Sequence, residues 1–309
     1  MRCDRLAALL AAVALAACGG GEPAPPAEPT SAPTEAPTAP PADPAETGTA
    51  APAITSVTAD PRDGTILVGT GPALFRLAPG AKRAERLTGR VTTPGGEAPV
   101  SGNLVVDFAG PRDLLASGHP VQEGGGVPEN LGLIRSRDHG ETWEPVAKLG
   151  EADYHELEAA GDVILGIGAE SSDIEVSRDG GGTWETRTPP AAPIDVVVDP
   201  GDAEHWAVST EQGTFVSSNG GRSWRPRDTT FGARLLWPAP DALYSLDRNG
   251  AVKLSADGGA TWRERGQAGG LPSAIGGGRD EELLVGLVGG KIRRSRDGGG
   301  SWVTLTTLH

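Results

Sequence analysis

The chain is poor in cysteine, methionine, aromatic residues and positive charge, and each shortage removes a class of protein. Its 309 residues include two cysteines, Cys3 and Cys18, so everything after position 18 lacks both a disulfide framework and Cys-x-x-Cys zinc spacing. Lysine and arginine number 27 against 41 aspartates and glutamates, a net charge of −14 that argues against binding a polyanion such as nucleic acid. Met1 is the only methionine and aromatic residues are 4% of the chain, whereas glycine reaches 46 copies, a balance that suits short strands and many turns. The apolar run Leu6–Leu15 is too short to span a bilayer, which needs about 20 residues. The runs Gly124–Gly126 and Gly276–Gly278 do not open helices after a strand, so the sequence predicts turns there and not phosphate loops.

Five copies of one octapeptide organise what is there. They run Ser136–Trp143, Ser177–Trp184, Ser217–Trp224, Ser255–Trp262 and Ser295–Trp302, with starts 41, 40, 38 and 40 residues apart. A near-constant period of that size is one supersecondary unit repeated. The third residue (Asp138, Asp179, Asn219, Asp257, Asp297) offers an oxygen to backbone N–H groups of a tight turn. A glycine at the fifth place allows positive φ, and the closing tryptophan (Trp143, Trp184, Trp224, Trp262, Trp302) anchors the turn on the layer beneath.

This S-x-D-x-G-x-T-W pattern resembles the Asp-box, or BNR, repeat. The resemblance implies an all-β fold, a β-propeller of four-stranded antiparallel blades with the box between the third and fourth strands. Families sharing the box include sialidases, sortilin-type receptor domains and photosystem assembly propellers, so the box implies a fold and not an activity. In this register Ile194–Val198, His205–Thr210 and Gly213–Ser217 are strands A, B and C of a fourth unit, with D from Trp224. Ile54–Leu87 is a first unit whose box has decayed to Ala78-Pro79-Gly80-Ala81-Lys82. Six blades are expected over residues 53–309, with closure by packing of the first blade on the last.

The N-terminus has a basic start at Arg2 and Arg5, the apolar run, and Leu15-Ala16-Ala17-Cys18, which resembles the bacterial lipobox. That resemblance implies a signal peptide over 1–17, lipidation of Cys18 and an extracytoplasmic domain anchored to a bacterial membrane. Residues 18–52, rich in Pro, Ala, Thr and Glu, are expected as a solvated spacer; at ~3.1 Å per residue, roughly 30 residues reach on the order of 100 Å.

Strand register also sorts the loops. The boxes and A–B turns share one face; B–C loops and blade-to-blade connections share the other, where Asp-box families bind ligands. Two loops stand out on that second face: Ser117–Leu131, long and carrying His119, and Leu149–Glu156, which holds Glu151, Asp153, Tyr154 and His155. His119, Asp153, Tyr154 and His155 are expected to converge at the mouth of the central tunnel, with Arg90, Arg234 and Arg248 within reach of the same face. The wording of blades 1 to 3 resembles secreted bacterial lipoproteins of the sialidase-type glycosyl hydrolase group. Those relatives often begin with His-x-His where this chain has Ile54-Thr55-Ser56-Val57.

A hydrolase of that type needs three arginines on the substrate carboxylate, a tyrosine nucleophile activated by a glutamate, and an aspartate acid/base. Tyr154, with Glu151 or Glu156 and Asp153, is the candidate set. Most arginines fall on outer strands, however, and the Phe/Tyr-Arg-Ile-Pro motif is absent, Phe75-Arg76-Leu77 being the nearest string. A buried hydrogen-bonded Tyr154–His155 pair is the structural alternative. No cofactor is expected; His119, His155 and Asp153 offer ligand types for a divalent metal but no diagnostic spacing. The reading is a monomeric propeller that binds a small ligand, glycan or cell-envelope protein, with a sialidase-like hydrolase as the alternative.

Overall fold

A computed structural model describes residues 51–309 apart from 101–102, 121–125, 170 and 279–280; the expected signal peptide, Cys18 and the linker up to residue 50 lie outside the described residues. Regular structure among the described residues is entirely β and forms six antiparallel blades around a tunnel. Blade 1 is β1 (Ile54–Ala59), β2 (Ile66–Thr70), β3 (Leu74–Leu77) and β4 (Glu85–Leu87). A hairpin of β5 (Arg90–Thr93) and β6 (Gly96–Pro99) precedes blade 2, which is β7 (Val105–Gly110), β8 (Asp113–Ser117), β9 (Leu133–Ser136) and β10 (Thr142–Ala147). Blade 3 is β11 (Tyr154–Ala160), β12 (Val163–Gly168), β13 (Ile174–Ser177) and β14 (Glu185–Arg187). Blade 4 is β15 (Pro193–Asp199), β16 (Asp202–Thr210), β17 (Gly213–Ser217) and β18 (Arg225–Asp228). Blade 5 is β19 (Arg234–Leu236), β20 (Leu243–Leu246), β21 (Ala251–Ser255) and β22 (Arg263–Gln267), and blade 6 is β23 (Pro272–Gly277), β24 (Leu283–Leu287), β25 (Lys291–Ser295) and β26 (Val303–Thr307).

Within a blade, burial falls from the middle strands outward. The second strands β2, β20 and β24 are buried on both faces because neighbouring blades sandwich them, and their sequences (ILVGT, LYSL, LLVGL) are correspondingly apolar. The fourth strands β18 and β22 are mostly exposed and carry the arginines.

Every blade is complete from consecutive strands, so the ring closes without a borrowed strand, as expected. At the seam, Ile54, Val57, Val68 and Phe75 of blade 1 pack with Ala274, Leu284, Ile292 and Leu308 at the other end of the chain. The approach is so close that a Cβ on Gly276 would lie 1.7 Å from the Val57 carbonyl oxygen.

The octapeptides form one repeated network. The first serine's Oγ donates to the third residue's Oδ1 at 2.7 to 3.0 Å in all five copies and accepts the fifth glycine's N–H at 2.7 to 2.9 Å. That same Oδ1 accepts the seventh residue's N–H at 2.8 to 2.9 Å. Asn219 serves as well as aspartate because the turn needs one acceptor oxygen, and its spare amide donates to Ser223 Oγ.

The hairpin β5–β6 was not legible in the sequence. It adds to the outer rim of blade 2, with β5 parallel to β10, and buries Val91, Ala98 and Val100. The long loop after β8 leans onto it: Val100 bridges to Pro120, and Leu131 and Val127 join the same apolar cluster. Part of that loop's length therefore covers an added hairpin.

Candidate functional site

The mouth is built by a defect repeated in four blades. Near the start of the first strand, one extra residue is inserted: Thr55 in β1, His155 in β11, Ile194 in β15 and Ser273 in β23 stand unpaired between residues that keep the ladder. Such a bulge bends the strand and re-aims the residue it inserts. Thr55, His155 and Ser273 thereby line one cavity of ≈ 320 Å³ with Ile54, Asn103, Val105, Glu156 and Arg234. The octapeptides lie at the other end: the N–H groups of Gly180 and Gly220 donate to Asp162 and Glu204 beside the turns that join first and second strands.

Behind the mouth the tunnel narrows to ≈ 70 Å³ and is ringed by carboxylates. Asp107 accepts the Ala159 N–H (3.0 Å) of the next blade, Glu158 accepts that of Val198 (3.3 Å), and Asp195 accepts that of Leu235 (2.9 Å). Each carboxylate thus ties its blade to the following one. Burial pushes Asp107 and Asp195 up to about 6, Asp195 against the pull of Arg234, and burial with the charges of Asp107 and Asp195 holds Glu158 well above the usual carboxylate range. Burial also pushes Glu156 up to about 8, against the pull of Arg234, which forms an ion pair with it across the tunnel.

Three of the four residues expected to converge do meet. The Asp153 carboxylate lies between two imidazoles, with His119 Nε2 3.4 Å from Oδ1 and His155 Nε2 3.3 Å from Oδ2. His119 is steadied through Nδ1 against the Glu129 carbonyl at 3.0 Å.

Tyr154 is not with them, which corrects the expected cluster. The bulge at His155 puts Tyr154 out of phase with Glu156, and its ring turns into the blade to stack on Trp184 at a 5.8 Å centroid distance. Its hydroxyl donates to Glu175 Oε2 (2.5 Å), whose other oxygen binds Lys148 Nζ (2.6 Å). Burial, reinforced by the Glu175 bond and charge, pushes this phenol far above its ordinary range, the reverse of an activated nucleophile. Tyr154 pairs with Glu175 and not, as the alternative had it, with His155.

The arginines are also redistributed. Arg90 belongs to β5 at the outer rim, beside Glu141 of an octapeptide and 3.4 Å from Glu97, so it does not reach the mouth. Arg234 is at the mouth but held by Glu156. Arg248 lies over the Phe231 ring, 5.2 Å from its centroid. Glu151 is exposed, its N–H closing a turn onto the Lys148 carbonyl.

Beside the mouth runs a groove that the sequence did not single out. It measures ≈ 320 Å³ and is lined by Ile194 and Arg234, at the starts of the first strands of blades 4 and 5, and by Phe231, Arg248, Leu271 and Val288 from connections and loops of blades 4 to 6. Phe231 is 46% exposed, Leu271 49% and Val288 64%; of the large apolar side chains exposed among the described residues, only Val303 lies elsewhere. Phe231, Leu271 and Val288 lie far apart in the sequence, and only the register of three blades brings them together.

No protein-family model matches the chain, and no curated protein does. Among solved structures it is similar to YCF48 bound to D1 peptide (18% identity, TM-score 0.41, 65% of each chain). It is also similar to the GH74 xyloglucanase from Xanthomonas campestris (19% identity, TM-score 0.50, 82% of this chain and 38% of that one). A third is PorZ, a surface component of the type-IX secretion system of Porphyromonas gingivalis (8% identity, TM-score 0.51, 84% of this chain and 38% of that one). The chain spans less than two thirds of the length of these three, and its likeness to the xyloglucanase and to PorZ is one of fold alone.

Proposed function

We propose that the chain is an exported propeller, anchored to a bacterial membrane through a lipid on Cys18, that binds an extended segment of a protein partner on its mouth face. Its octapeptides are read as Asp boxes that stiffen the opposite face. The observation that carries the binding reading is the gathering of Phe231, Leu271 and Val288 around one groove on a surface otherwise poor in large apolar side chains. Burying one such side chain contributes about 1.5–3 kcal/mol, so leaving three in water side by side is compensated by a partner that covers them. A sugar fits this groove poorly. The aromatic face on which a ring would stack is already covered by Arg248, and the remaining walls are largely aliphatic. The net charge of −14 favours a partner of basic character, through faster encounter.

The neighbours named above include a xyloglucanase and a secretion component, and these are properties of those proteins. For hydrolysis in this chain, the expected nucleophile Tyr154 is bound to Glu175 and the expected arginine clamp is dispersed.

The test is selection of random displayed peptides on the full chain. Enrichment of sequences with an aromatic or long aliphatic anchor is expected, with binding weakened about tenfold or more by Phe231→Ser, since about 1.4 kcal/mol is a factor of ten. Peptides whose affinity ignores Phe231→Ser would place recognition elsewhere. A panel of chromogenic glycosides should stay uncleaved; turnover that disappears in Glu156→Gln would return the hydrolase reading.

A further inference from the structure

Four of the five octapeptides carry glycine at their fourth position, Gly180, Gly220, Gly258 and Gly298, with φ of 70°, 64°, 64° and 60°. The copy in blade 2 has His139 there, forced into the same left-handed conformation at φ 62°. A side chain in that region costs about 1–2 kcal/mol. The imidazole is delivered to the turn between β1 and β2 of blade 1, where Nε2 lies 2.7 Å from Asp60 Oδ2 and 3.8 Å from Asp63 Oδ2.

Both carboxylates are held ready. Asp60 Oδ1 accepts the Arg62 N–H and Asp63 Oδ1 the Thr65 N–H, each at 2.7 Å, which leaves the two Oδ2 atoms facing the imidazole. Asp60 is fully buried, Asp63 is half-open to solvent, and the Phe108 ring packs edge-on against His139 at 6.3 Å. One ligand atom from each residue falls within 4.8 Å of the others, the one such group among the described residues. Bonds of about 2.1 Å to a tetrahedral zinc put its ligands about 3.4 Å apart, between the two observed separations.

We infer that Asp60, Asp63 and His139 form a binding site for a divalent cation of the zinc class, with its open position toward solvent beside Asp63. Two carboxylates and one neutral imidazole suit zinc; the nitrogen disfavours calcium and magnesium, which take oxygen. Two negative charges balance the ion's charge next to a buried carboxylate. The site joins blade 1 to blade 2, and blade 1 is the terminal blade that has no octapeptide of its own and packs on blade 6 at the seam. A cation here pins the blade least restrained by the repeat.

The test is calorimetric titration of chelator-treated full chain with zinc chloride, paired with thermal melting. One zinc per chain and a rise in Tm are expected. Asp63→Asn, a change at a partly exposed position that spares the fold, should weaken binding about tenfold or more, and His139→Gly, which restores the residue of the other four copies, should abolish it. His155→Ala should leave the titration unchanged. The proposal is overturned by any of three results: no zinc bound at micromolar concentration, binding unaltered in both Asp63→Asn and His139→Gly, or binding lost in His155→Ala, which would move the metal to the mouth. Calcium binding more tightly than zinc would overturn the choice of metal.

Discussion

Replacing Asp107 by asparagine should change how stability depends on pH, and the structure fixes the direction. In the folded chain the carboxyl is raised from 3.8 to about 6, chiefly by burial and then by the charge of Asp195, against hydrogen bonds from Ala159, Phe108 and Thr58. The folded state therefore holds a proton that the unfolded chain has released between about pH 4 and about pH 6. Its contribution is fully present below the unfolded value and is lost as pH rises through the folded one. About two pH units at about 1.36 kcal/mol each make the loss roughly 3 kcal/mol. Asparagine keeps an oxygen for the Ala159 N–H but does not titrate. Urea unfolding followed by tryptophan fluorescence, from about pH 4 to about pH 7, should show the wild-type advantage over Asp107→Asn shrinking by roughly 3 kcal/mol across the range. Parallel curves would refute the reasoning, because they would mean that Asp107 ionises in the tunnel as it does in water.

Three further outcomes follow from the same contacts. Asp138→Ala removes the acceptor for the Glu141 and Thr142 N–H groups and should cost about 2 kcal/mol in chemical unfolding, with Asp138→Asn milder, since Asn219 closes the same turn in blade 4. Gly276→Ala drives a Cβ into the Val57 carbonyl at the seam and should cost about 3 kcal/mol or more, visible as a lowered Tm and early loss of blade 1 protection in hydrogen exchange. Tyr154→Phe should destabilise by about 1–2 kcal/mol, because Glu175 Oε2 loses its donor and keeps only the Lys148 pairing through Oε1, while leaving peptide affinity unchanged; a loss of affinity at equal stability would put the hydroxyl in the site.

The fold was legible because the octapeptide states its own chemistry. Once serine, aspartate, glycine and tryptophan are recognised as parts of one turn, their period counts the repeated units, and the resemblance to the Asp-box implies blades and a place between third and fourth strands, which assigns the faces. Blade 1 was found without an octapeptide because Ile54–Leu87 keeps the strand spacing. The β5–β6 hairpin escaped because it is short and pairs in parallel with a strand some fifty residues away, which leaves no local signature. His119, Asp153 and His155 were recoverable from loop length and residue type alone.

Tyr154 was not recoverable, and the reason is one residue. Alternation along β11 would put Tyr154, Glu156 and Glu158 on one side, but the bulge at His155 breaks the phase. Nothing in the composition of that stretch announces a bulge. The tunnel carboxylates were hidden differently: Asp107 sits singly in an apolar strand and Asp195 before a run of three valines, and only the closed ring shows that each reaches the next blade's backbone.

The most direct test of the proposed binding face is a hydrogen-exchange footprint of the full chain saturated with its best selected peptide. Protection should concentrate on the connections that carry Phe231 and Leu271 and on the loops with Arg248 and Val288, leaving the octapeptides as they are in the free protein. Protection centred on the octapeptides, with those four segments unchanged, would contradict the account.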